Sequence, residues 1–145
     1  MKRTKRLRSP GTEREVSIEP PILRGDILWI RCDPSVGPEP QKTRTCVVVS
    51  NNIANRYGQT LTVIPTQAYS AERVQREYMT DLRRPNSTLT SDRVANASMV
   101  MTYDRARIAS RAGRVTRQAL EDIDRALAVH LALATEARHG MPHPT

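Results

Sequence analysis

At 145 residues, 38% of them apolar, the chain amounts to one domain with room for a modest core. It holds no apolar run long enough to cross a bilayer, and two cysteines are too few for a disulfide framework or a zinc site. The net charge of +8 attracts a polyanion, while 3% aromatic residues and no Phe argue against base stacking as the main grip on nucleic acid.

Residues 1–21 read as a basic extension. Six basic residues, three acids, Gly11 and the Pro20–Pro21 pair leave little to bury, which predicts a segment disordered or ordered only on binding. The basic tip lacks the apolar stretch of a secretory signal, so a cytoplasmic protein is expected. The domain proper is placed at 22–138 and a tail at 139–145.

Strands are predicted at 26–32, 43–50, 60–65, 77–82 and 94–101, from β-branched or aromatic runs bounded by Gly, Pro, Asn and Asp. The first holds Ile27 to Ile30 with Trp29 expected in the core. The second holds Cys46 to Val49. Both cysteines are expected as buried free thiols. Asn51 and Asn52 are expected to shape the turn after the second strand. A turn or helical piece is predicted around 104–108 and a further strand at 113–115. The last element is a helix over 117–135: Thr116 caps it, and Leu120, Ile123, Leu127, Leu131 and Ala134 recur at spacings of three and four. Short strands followed by one helix make a mainly β domain, a small, strongly curved sheet or SH3-like barrel with the helix packed against it.

The positive charge is concentrated. Residues 73–117 carry ten Arg against four acids, whereas 118–145 carry two Arg and four acids. Such a field draws polyanions. The competing reading is that twenty Arg against three Lys reflect base composition of the gene.

The stretch from Arg24 to Asn52 carries a resemblance. RGDILW, then Gly37-x-Glu39, then Lys42-x-Arg44 followed by VVVSNN, resembles the MazF/PemK toxins of bacterial toxin–antitoxin systems. The likeness continues through Ile53, Asn55 and Arg56, and again at VANASMVMTYDRARI from Val94 to Ile108, covering roughly residues 22–135. Pro40 stands where the family has Gln, and Thr45 where it has Pro.

The resemblance implies a CcdB/MazF-like fold and an endoribonuclease that cleaves single-stranded mRNA at specific sequences without a metal or cofactor. In that reaction the substrate's own 2′-hydroxyl attacks the adjacent phosphorus. Such chemistry needs a proton acceptor, a donor for the departing 5′-oxygen and positive hydrogen-bond donors for the phosphorane. The family's principal residue matches Arg44. A guanidinium hardly deprotonates near neutral pH, so its role is mainly electrostatic. The second family residue is a Thr. Counting without a gap from Asn51 puts Gln67 there, while a one-residue deletion puts Thr66 there; the hydroxyl favours Thr66.

Glu39 is a candidate for a base edge or for the antitoxin, Lys42 and Arg56 for phosphates, each set against a plain surface charge. Ser98 and Met99 stand where many relatives carry polar recognition residues, which implies a different cleavage sequence. The resemblance also implies a homodimer and a MazE-like antitoxin partner. A second reading is a non-catalytic relative that acts on a protein such as gyrase, as CcdB toxins do.

Overall fold

The computed structural model describes residues 20–32 and 42–133. The basic extension, the loop bearing Gly37, Glu39 and Pro40, and the tail lie outside the described residues. Seven strands and two helices follow in chain order: β1 (Asp26–Arg31), β2 (Thr43–Val48), α1 (Asn52–Tyr57), β3 (Thr60–Ala68), β4 (Met79–Asp81), β5 (Arg93–Asn96), β6 (Met101–Asp104), β7 (Ile108–Arg114) and α2 (Arg117–Leu131).

Every strand pairing is antiparallel. The sheet runs β4-β5-β3-β2-β1-β7, with β6 paired to β3. The mainly β architecture with a C-terminal helix is as expected, but the sheet does not close into a barrel. Beyond its two ends an isolated bridge joins Ser87 to Val115, and Thr88 N donates to Arg114 O at 3.0 Å.

Alternation along the strands divides the core in two. Ile27, Val47 and Ile64 turn to the face covered by Ala119, Ile123 and Ala126 of α2. Leu28, Ile30, Cys46, Val48, Leu61 and Val63 turn to the other, where the curved sheet folds over itself around Ile22. Fully burying a side chain of this size contributes roughly 1.5–3 kcal/mol. The two clusters therefore hold the sheet from both sides.

β3 is the spine. Its first half pairs with β6 and its last three residues with β5, so it extends past the predicted limit. The predicted strand at 94–101 is two strands, β5 and β6. Asn96 breaks it by accepting from Ser98 N at 2.9 Å, which turns Ala97–Met99 into a short 3-10 helix. The predicted piece at 113–115 belongs to the longer β7. α1 forms where the sequence predicts only a turn; Asn51 caps it by accepting from Ala54 N at 2.8 Å. α2 starts after Thr116, whose hydroxyl accepts from Ala119 N at 3.1 Å, and ends earlier than predicted, at left-handed Ala132.

The RGD motif is architectural. Gly25 has φ +97°, a conformation that side chains resist, and it links β2 to β7 by donating to Val48 O and accepting from Val115 N. Asp26, 3% exposed, accepts from Leu23 N and pairs with Arg111 and Arg114 at 3.2 and 3.1 Å. Arg24 donates to Val49 O at 2.9 Å and pairs with Asp124 of α2. Among the described residues no helix is long and apolar enough to cross a membrane.

Candidate active site

Arg44 is the second residue of β2 and is exposed. The register pairs Cys46 with Pro65, and one step further the hydroxyls of Thr45 and Thr66 meet at 2.5 Å. Thr66 is 1% exposed. On the other edge of β3, Arg93 reaches back from β5, donating through Nε to Thr66 Oγ1 at 3.0 Å and through Nη2 to Thr66 O at 2.9 Å. Burial lowers the pKa of Arg93, helped by the positive charges of Arg44 and Arg73.

Beside them lies a cleft of about 440 Å³ lined by Trp29, Thr43, Arg44, Thr45, Arg93, Ala112 and the segment 88–91. The lining comes from both sides of the gap that leaves the sheet unclosed. Trp29 was expected in the core, yet it is 40% exposed. It lies on the α2-facing side of the sheet, but α2 packs against β4 and the 97–99 turn and leaves the far end of β1 uncovered.

Alternation puts Gln67 opposite in sense to Thr66. Its Oε1 accepts from Asn96 Nδ2 at 3.1 Å, and Asn96 Oδ1 accepts from Ser98 Oγ at 2.6 Å. Gln67 and Ser98 thus share a polar chain, separate from the Thr45–Thr66–Arg93 chain. Lys42 is exposed beside β2, its carbonyl accepting from Cys32 N at 2.8 Å. Arg56 is exposed on α1 with its guanidinium 5.7 Å from the Tyr57 ring. Neither lines the cleft. Glu39 lies outside the described residues.

Much of the concentrated charge is structural. Arg83 pairs with Asp81 and stacks 3.8 Å from the Tyr69 ring. Arg105, 7% exposed, donates to Gly58 O and Asn55 O, and burial lowers its pKa. Arg111 and Arg114 neutralise Asp26. Arg44 and Arg93 differ, since neither pairs with a carboxylate among the described residues. Sequence reasoning missed Arg93 and the bond made by Thr45. Both depend on strand pairings, and no local pattern marks them. Among the described residues no group of three or more His, Cys, Asp or Glu is placed to hold a metal.

The chain matches the family described as PemK-like, MazF-like toxin of type II toxin-antitoxin system over residues 23–131. It is 32% identical over 117 residues to the endoribonuclease MazF9 of Mycobacterium tuberculosis, covering 77% of this chain and 98% of that relative. It is 24% identical over 112 residues to the endoribonuclease EndoA of Bacillus subtilis, covering 77% and 96%. A mycobacterial endoribonuclease solved in complex with its cognate antitoxin shares the fold at a TM-score of 0.63, with 22% identity over 79% of this chain and 98% of that one. MazE-MazF from Deinococcus radiodurans does so at 0.66, with 18% identity over 78% and 97%. With the family matched over more than half of its length, and a relative above 30% identity along nearly all of that relative, this chain belongs to the PemK-like, MazF-like toxins of type II toxin–antitoxin systems.

Proposed function

We propose that the protein is a toxin that cleaves single-stranded RNA, chiefly mRNA, at specific sequences and without a metal ion. The observation that carries this reading is the family match over residues 23–131, together with relatives named as endoribonucleases. The 2′-hydroxyl of the RNA attacks the adjacent phosphorus. This forms a 2′,3′-cyclic phosphate and expels the next nucleotide with a 5′-hydroxyl. Since the nucleophile belongs to the substrate, the protein has to supply positive, preorganised hydrogen-bond donors to the phosphorane. Arg44 takes that role from the rim of the cleft.

Thr66 is the second residue of this assignment, with Gln67 the alternative. The bonds of Thr66 to Thr45 and Arg93 fit a residue that acts from behind the cleft wall. Lys42 and Arg56 add phosphate contacts at the flanks, while Glu39 and Ser98 take part in reading the bases. The protein works in the cytoplasm as a homodimer, restrained by a MazE-like antitoxin. Structures of relatives bound to an antitoxin support that partnership.

The test is cleavage of a mixed RNA pool by purified protein in EDTA, with the ends mapped. Cleavage leaving cyclic phosphate ends, lost when the scissile nucleotide carries a 2′-deoxy sugar, is the expected result. Cutting at the deoxy position would overturn the mechanism, and absence of any cleavage would overturn the function.

A further inference from the structure

Arg93 is a cleft residue to which the family resemblance gives no role. A guanidinium has five N–H groups, and two of those on Arg93 are engaged by Thr66. The other three have no partner among the described residues. The two bonds hold the planar group from its oxygen-bonded edge and fix its orientation before any ligand arrives. Thr66 is itself fixed by Thr45, the residue standing where the family has Pro.

The surrounding charge sharpens this. Arg44 lines the same cleft, and Arg44 and Arg73 both make the positive form of Arg93 harder to keep. No carboxylate among the described residues offsets Arg44 or Arg93, whereas Asp81 faces Arg83 and Asp26 faces Arg111 and Arg114. Like charges gathered without a counter-charge are relieved by an anion. A guanidinium suits phosphate oxygens because its fork matches their spacing.

We infer that Arg93, held by Thr66, is a second phosphate-binding cation of the cleft and grips the RNA backbone together with Arg44. This rests on the endoribonuclease reading. The competing role for Arg93 is to stitch β3 to β5 through Thr66 O, a role that stability measures but salt dependence does not.

The experiment uses the full chain and a fluorescent RNA oligonucleotide containing a cleavage site made uncleavable by a 2′-deoxy sugar. Binding is followed by anisotropy over a series of salt concentrations. Each phosphate contact contributes about 0.7 to the slope of log K against log salt for single strands. Arg93→Gln is therefore expected to flatten the slope by about that amount and weaken binding roughly tenfold or more. Arg93→Lys should keep the slope while losing cleavage rate, and Arg125→Gln on α2 should change neither. A folded Arg93→Gln protein with the parental slope and affinity overturns the inference, and intact cleavage by the parent then leaves the functional reading standing. A parent that neither binds nor cuts RNA overturns both. Should Arg93→Gln not fold, NMR of the parent's Arg93 Nε decides: a shift on adding the oligonucleotide supports the contact, and an unchanged resonance overturns it.

Discussion

The hydroxyls of Thr45 and Thr66 meet at 2.5 Å across β2 and β3, one residue along β2 from Arg44. That contact ties the strand carrying Arg44 to the strand carrying Thr66, the two residues proposed for the chemistry. Thr66 then passes the restraint on to Arg93. The position of Arg44 and the order of its neighbours are thus one problem, decided by three strands at once.

Arg44→Ala is expected to lower the cleavage rate on the order of 10²–10³, the typical loss for one preorganised donor to a developing oxyanion. The exposed site of Arg44 predicts an unchanged melting temperature. Arg44→Lys should also be poor, because a point charge does not reproduce the planar fork. Full cleavage by a folded Arg44→Ala protein would move the catalytic role away from Arg44.

Thr66→Val and Gln67→Ala separate the two candidates for the second residue. Thr66→Val keeps the shape but removes the hydroxyl shared by Thr45 and Arg93. It should cost about 1–3 kcal/mol of stability and reproduce much of the Arg44 loss in single-turnover cleavage. Gln67→Ala opens only the bond to Asn96 and should leave most activity. The reverse pattern of rates would hand the role to Gln67.

The RGD turn should respond in stability rather than in chemistry. Gly25→Ala forces a side chain into φ +97°, costing about 1–2 kcal/mol. Asp26→Ala leaves Arg111 and Arg114 without their buried partner and should cost on the order of 2 kcal/mol. Chemical denaturation measures both. A loss of turnover without loss of stability would contradict the architectural role.

Alkaline pH should loosen the fold. Burial raises the Cys46 thiol from 9.0 to about 12, and burial likewise raises the Tyr103 hydroxyl from 10.0 to about 12. The unfolded chain gives up these protons first, so stability is fully present below pH 9 and falls as the pH rises toward 12. Melting temperatures from pH 8 to 11 should decline, and Cys46→Ala should flatten the first part of that decline. An unchanged slope in Cys46→Ala would mean that its burial is not the cause.

Trp29 offers a direct reporter. It is the chain's one tryptophan and lies 40% exposed in the cleft. Its emission should change when an uncleavable RNA oligonucleotide binds, and Arg44→Ala should shift that titration to higher RNA concentration. RNA bound by anisotropy with no change in emission would place the substrate elsewhere.

The sequence by itself determined what local chemistry controls. Apolar runs bounded by Gly, Pro, Asn and Asp marked β1 and β2, Thr116 and the three–four spacing marked α2, and the motif around Arg44 marked the family. It also put Asp26 at the start of the first strand, after Gly25, without revealing that Arg111 and Arg114 close over the carboxylate from β7. Only the tertiary structure decided how far β3 extends, because its last residues are held by β5, a partner distant in the chain. The same pairing set Arg93 on Thr66 and divided Thr66 from Gln67 by the side of the sheet each one faces. It also left Trp29 uncovered, since the reach of α2 over the sheet depends on packing against β4. Strand propensity is a property of neighbours in sequence; register and exposure belong to neighbours in space.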